Sequence, residues 1–300
     1  MNRPALLPIA ALALACASAY AGTPINETRA VNAEVRVDVS NVKGAVTVSA
    51  WDKPEVSISG TLGEGAKALS VEGGADHLTI KVETPDKQGW FSWGADSRMG
   101  DTELDLKVPR AAEMKIEVVS ADVSLSGVAG RSLNVESVSG KLRLDSGAKE
   151  VEIDSVSGNI DLSAQATRAH LETVSGNIRA RGLGGQIKFE TVSGDIDAEN
   201  ATYREVNAGT VSGDINLRGK PESGARIEVE TMSGDVHLYL PADASTRLRA
   251  SSFSGTIRSD FGSVKQPEHG PGSSLDASNG AGDGQVKLET FSGDIEIRRQ

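Results

Sequence analysis

Aromatic side chains are scarce in this 300-residue chain: 3 Trp, 3 Tyr and 5 Phe, or 4 %. A core of bulky rings is therefore excluded. The apolar content falls to Val, Ile, Leu and Ala, which suit stacked short strands. Cysteine occurs once, at Cys16, so the chain can form no internal disulfide. Basic residues are also in deficit, 31 against 42 acidic, for a net charge of −11. Nucleic-acid binding relies on clustered Lys and Arg that displace counterions, and anionic lipid attracts the same clusters; both partners are disfavoured. Beyond the N-terminal stretch no run approaches the ~20 apolar residues of a membrane helix.

What the chain has is glycine, 33 residues of it, and one phrase that returns. A small hydroxyl residue, an apolar residue, Ser and Gly recur from Ser137-Val138-Ser139-Gly140 through Thr173-Val174-Ser175-Gly176 to Thr290-Phe291-Ser292-Gly293. The glycine-to-glycine steps are 18, 18, 18, 19, 21, 21 and 38 residues. Self-similarity at a near-constant period marks a repeat architecture. Within a period, Leu133, Val135 and Ser137 alternate on one face, then Leu142 and Leu144 do. Counting back from Leu142 puts Gly140 and Val138 inside, so the parity is expected to switch, through a bend, between Ser137 and Val138. Each period thus predicts a strand, a corner, a second strand and a return: one coil of an all-β, parallel β-helix (β-solenoid) with ~18–21-residue coils. Right-handed coiling is preferred because parallel crossovers usually are. Stacked coils align Val135, Ile153, Leu171 and Phe189 in one inner row. Leu142, Ile160, Ile178, Ile196, Ile215, Val236, Ile257 and Ile295 form another.

Around this regular part the organisation is less uniform. Residues 1–21 read as a signal peptide: Arg3, an apolar stretch from Leu6 to Ala15, and Ala19-Tyr20-Ala21 before Gly22. Cys16 offers a rival lipid-anchor site, although Ala13 stands where Leu is usual. Either processing predicts an exported, periplasmic or cell-surface protein. Residues 22–110 alternate irregularly and are expected to be an N-terminal β cap or first coils, with a separate small β-domain as the alternative. The regular solenoid is assigned to 111–300. Its Gly/Pro/Ser-rich stretch at 262–285 is expected as a flexible insert. Residues 285–297 are then expected to close the stack, blunted by Arg298-Arg299-Gln300.

The repeated Val-Ser-Gly-Asp-Ile phrases, with Ala50-Trp51-Asp52 and Leu240-Pro241-Ala242-Asp243-Ala244, resemble the bacterial putative-adhesin family of exported β-strand-repeat proteins of unknown function. The resemblance implies a β-helix on the exported side of the membrane and brings no catalytic residues.

Candidate sites are few. Trp90, Phe91 and Trp93 are concentrated in residues 84–103, either as a cap over the stack or as a partner-binding patch. Two outward rows face solvent, one running through Glu136, Asp154, Glu172, Glu190, Glu230 and Glu289 and the other through Asn159, Asn177, Asp195, Asp214, Asp235 and Asp294 after the glycines. Such rows suit a hard cation or, more simply, a solvated surface; no calcium-loop spacing is present. His77, His170, His237 and His269 have no partners at metal-ligand spacing. The repeated serines lie in no nucleophile elbow. No catalytic residue, cofactor or metal site is assigned. The expected function is non-enzymatic: an adhesin-like or scaffolding surface in the cell envelope, meeting polysaccharide or protein. A polysaccharide-acting β-helix enzyme, a self-assembling protein and an envelope-stress accessory are the alternatives.

Overall fold

The computed structural model describes residues 22–85, 99–266 and 271–300. Every regular element among them is a β-strand, and all the strands belong to one sheet. The first third holds β1 (Thr23–Ala30), β2 (Arg36–Trp51), β3 (Glu55–Leu62), β4 (Ala68–Gly73), β5 (His77–Glu83) and β6 (Thr102–Pro109). The long β2 lies inside the stack. One edge pairs in parallel with β5 and β6, and the other with β7 (Glu113–Val128). The outer edges of β5 and β6 carry β4 and β3 in antiparallel pairing, and β1 continues from β3. Antiparallel strands thus cover this end.

The regular layers follow as β8 (Ser132–Ser139), β9 (Leu142–Ser146), β10 (Glu150–Ser157), β11 (Ile160–Ala164), β12 (Arg168–Ser175), β13 (Ile178–Arg181), β14 (Gly184–Ser193), β15 (Ile196–Ser212) and β16 (Ile215–Ser233). Each pairs in parallel with its equivalent one period on. Val135 meets Ile153, Ile153 meets Leu171 and Leu171 meets Phe189. In the second strand Leu142, Ile160, Ile178 and Ile196 align in the same way. All eight side chains are no more than 1 % exposed. The branched residues that favour strands therefore supply the interior, and no single layer buries its row without its neighbours. The longer periods have a local cause. Arg204 is an extra residue between Tyr203 and Glu205 where β14 pairs with β15, and Glu222 to Ala225 are inserted between Pro221 and Arg226 where β15 pairs with β16.

The last strands are β17 (Val236–Leu240), β18 (Thr246–Ser252), β19 (Ile257–Ser259), β20 (Ser273–Asn279), β21 (Gly284–Ser292) and β22 (Ile295–Arg299). Here the stack departs from chain order. β21 pairs in parallel with β16 on one side and β18 on the other. β22 does the same between β17 and β19. The C-terminal strands therefore do not close the stack, as the sequence led us to expect; they fill a layer that the chain first stepped over. Leu288, Ile295 and Ile297 are accordingly fully buried, with apolar neighbours above and below. The stretch 262–285 is not wholly a flexible insert either. Its β20 pairs antiparallel with the open edge of β18, burying Ser273 and Leu275. One face of this edge strand is solvated, so its composition looks like that of a loop.

A ladder of exposed apolar side chains at the corner

The repeated phrase builds the corner from the backbone outward. Its glycines stack so closely that a Cβ on Gly158, Gly176 or Gly194 would lie within 2.1 Å of the preceding glycine's carbonyl oxygen. A side chain is excluded there, and the turn is tight. The hydroxyl residue of the phrase points inward and is buried, as at Thr173, Thr191, Thr210 and Thr290. Thr210 Oγ1 donates to Gly194 O at 3.4 Å and Thr290 Oγ1 to Gly234 O at 3.3 Å. The residue after the glycine binds the next layer. Asn177 Oδ1 accepts from Asp195 N, Asp195 Oδ1 from Asp214 N and Asp214 Oδ1 from Asp235 N, at 2.9, 3.0 and 2.8 Å. One acidic row is thus a structural seam of charge-assisted hydrogen bonds.

Because the hydroxyl and the glycine fill the inside of the bend, the apolar residue between them is forced out. This corrects the expected parity: the switch does not fall between Ser137 and Val138, and the second residue of the phrase faces solvent. Val156 is 48 % exposed, Val174 44 %, Val192 50 %, Val211 47 %, Met232 60 %, Phe291 58 % and Phe253 52 %. Registers of the paired strands place these seven in one column in that order. At ~4.8 Å per layer the column runs ~29 Å. The rings of Phe253 and Phe291 stack with centroids 4.8 Å apart and planes 11° from parallel. Large apolar side chains aligned in water, rather than scattered, are the mark of a binding surface.

Beside the column runs the other acidic row, and it is uneven. Lys287 Nζ contacts Glu228, Glu230 and Glu289 at 2.9, 3.1 and 2.9 Å. Hydrogen bonds to Glu228, Glu289 and Glu230 hold its ammonium well above the usual lysine range. Lys188 Nζ lies 2.7 Å from Glu190. Asp154 has no such ammonium. Burial first, then the charge of Glu152, pushes its carboxyl up. Between Glu190 and Glu230 the row is broken by Gly209, a residue with nothing crowding it: a Cβ there would meet only Glu230 O, at 3.9 Å. Beside this gap lies a groove of about 750 Å³, floored by Val192, Val211, Met232 and Phe291 and edged by Glu172, Glu190 and Glu230. A second groove, of about 780 Å³, continues past Phe291 and Phe253.

The other candidates fare differently. Trp90, Phe91, Trp93 and His269 lie outside the described residues. His77 Nε2 is 2.9 Å from Asp38 Oδ2, and His237 Nδ1 is 3.2 Å from Glu296 Oε2. His170 Nε2 lies 3.8 Å from a carboxylate oxygen of Glu172, two residues on in the same strand, and stacking brings it to 3.9 Å from one of Glu190 in the next layer. These three could offer ligand atoms to one metal ion, although the Lys188 ammonium already neutralises Glu190.

Solved structures that the chain matches include a putative adhesin from Parabacteroides distasonis, 13 % identical, covering 93 % of this chain and 98 % of that one at a TM-score of 0.47. A putative adhesin from Bacteroides fragilis is also 13 % identical, with 92 % and 97 % covered and a TM-score of 0.44. A putative lipid binding protein from Parabacteroides distasonis is 12 % identical, with 93 % and 97 % covered and a TM-score of 0.33. Curated proteins give no match. No helix among the described residues is long and apolar enough to cross a membrane. The model of the Toastrack DUF4097 family matches residues 33–298, nearly the whole described stack, and the chain belongs to that family.

Proposed function

We propose that this chain is an exported, non-enzymatic scaffold of the cell envelope that meets its partner along the exposed apolar column. The observation that carries this is the alignment of Val156, Val174, Val192, Val211, Met232, Phe291 and Phe253, each roughly half exposed, in successive layers. Water penalises such a surface, and the corner that turns these side chains outward does not require them to be apolar. An adhesin-like role fits a long, rigid, repetitive body. The reading includes right-handed coils of ~18–21 residues, a cap formed by residues 22–110, and export directed by residues 1–21. In support of a non-enzymatic role, the carboxylates of Asp195, Asp214, Asp235 and Asp294 are engaged in joining layers, as in Asp214 with Asp235.

The test is co-sedimentation of the purified protein with cell envelopes and isolated cell-wall polysaccharide. Three proteins run side by side: wild type, Val192→Ser/Val211→Ser/Met232→Ser, and Trp90→Ala/Trp93→Ala. Saturable binding lost in the column variant supports the reading. Loss only in the tryptophan variant moves the site to residues 84–103, and binding kept in both overturns the column.

A further inference from the structure

At Gly209 the acidic row loses its side chain without a steric reason. The repeat glycines are compelled by backbone 1.8–2.1 Å from their missing Cβ, whereas Gly209 has room for one. Its strand neighbours in the same row are Glu190 and Glu230. Glycine at this position therefore opens the groove over Val192, Val211 and Met232 that a third glutamate would fill. The floor is apolar, and the rim on the strand side is acidic. On the strand side stand Glu172, Glu190, Glu230 and Glu289, with Lys188 and Lys287 as the ammonium groups among them. Past the serine and glycine of the phrase, outside the groove lining, come Asp195, Asp214, Asp235 and Asp294; each accepts the next layer's N–H on one carboxylate oxygen, and the other oxygen of Asp294 pairs with Arg258.

We infer that this groove takes a polypeptide segment with a row of apolar side chains flanked by Lys or Arg: a cationic amphipathic partner. The inference rests on the column being a binding surface and adds the chemistry of what binds. Charge complementarity sets the sign of the partner, since an apolar floor beside an acidic rim repels anionic lipid and acidic protein alike. Spacing favours a helix laid along the stack. One helical turn rises 5.4 Å against ~4.8 Å per layer, so each turn brings an apolar side chain near the next rung. A helix of about 20 residues, ~30 Å long, covers the whole column. Gly209 gives the partner's largest apolar side chain, or the stem of a lysine, somewhere to sink.

The experiment titrates the purified protein into a fluorescently labelled synthetic helix of about 20 residues, ~30 Å long, with leucines on one face and lysines beside them. Anisotropy is read, with a leucine–glutamate counterpart and phosphatidylcholine vesicles as parallel probes. Saturable binding of the lysine helix is expected, weakening as salt rises. Val211→Ser/Met232→Ser should weaken it at least ~10-fold, with melting unchanged because both residues are exposed. Gly209→Glu should weaken it too, although it adds a negative charge, because it fills the groove. Gly209→Ala controls for backbone effects.

Equal binding of the lysine helix by wild type and both variants overturns the inference. So does tighter binding by Gly209→Glu, which would mean charge alone. Equal affinity for the glutamate helix, lost in Val211→Ser/Met232→Ser, keeps the column as a surface but overturns the cationic partner. Vesicle binding through the column without helix binding does the same. Failure of every probe beside column-dependent retention on envelopes overturns the inference alone, leaving the proposed function standing.

Discussion

The carbonyl oxygen of Gly194 lies 2.0 Å from the point that a Cβ on Gly213 would occupy, and Gly213 holds φ at +154°. The contact is backbone on backbone, so neither side can yield by changing a rotamer. Gly213→Ala should cost about 1–3 kcal/mol from overpacking alone, with strain from the positive φ added. Gly209→Ala, where the nearest atom is 3.9 Å away, should instead gain about 0.4–1 kcal/mol by restricting the unfolded chain. Urea unfolding of the two variants checks the contrast; equal losses would show that layer spacing at the corner is not what demands glycine.

Tyr203 is wholly buried, and its hydroxyl has no hydrogen-bond partner among the described residues. Burial pushes the phenol's pKa up, so the group stays neutral. The ring itself is in close packing: a Cβ on Gly219 would lie 2.7 Å from Tyr203 Cε2. Tyr203→Phe keeps the ring and removes an unpaired polar atom whose burial costs about 1–3 kcal/mol. The variant should be more stable than wild type in urea unfolding. A less stable variant would mean that the hydroxyl is satisfied.

Asp154 stands among Glu136, Glu152 and Glu172, and its carboxyl titrates above the ordinary value of 3.8 because of burial and those charges. A raised folded-state pKa means that the ionised form opposes folding. Stability from this site is therefore full below the unfolded value of 3.8 and is lost as pH rises through the folded one. Asp154→Asn should raise the melting temperature at neutral pH, and the gain should vanish below the carboxylate range. A gain of equal size at both pH values would remove the electrostatic explanation.

β21 and β22 lie inside the stack, with β16 and β17 on one side and β18 and β19 on the other. Amide hydrogen exchange should therefore be slower at Leu288 and Ile297 than at Leu275 in the edge strand β20. Were the layers stacked in chain order, the C-terminal strands would be outermost and would exchange first.

The repeat made the stack legible because period and apolar alternation are properties of local sequence. Val135, Ile153, Leu171 and Phe189 fall in one row as expected. Two features were hidden. The order of the last layers was invisible because Val236, Ile257 and Ile295 are interchangeable as neighbours; nothing local says that Ile295 meets Val236 before Ile257 does. The outward turn of Val156 and its equivalents was hidden because alternation was counted through a glycine. Only the stacked carbonyl groups reveal that the buried hydroxyl of Thr173 or Thr191, not the valine beside it, fills the bend. The signal for the groove was nevertheless present, as a missing acid at Gly209 between Glu190 and Glu230. The aromatic cluster of Trp90, Phe91 and Trp93, which drew notice by composition, lies outside the described residues.

The stepped-over layer also sets a clock on assembly. Strands β18 and β19 are synthesised before β21 and β22, yet they rest on them. Until residues 284–299 have been made, the rung between Val236 and Ile257 stands empty and two apolar faces remain open to water. The far end of the stack can thus be sealed only once β21 and β22 have been made and slipped into the gap that the chain left for them.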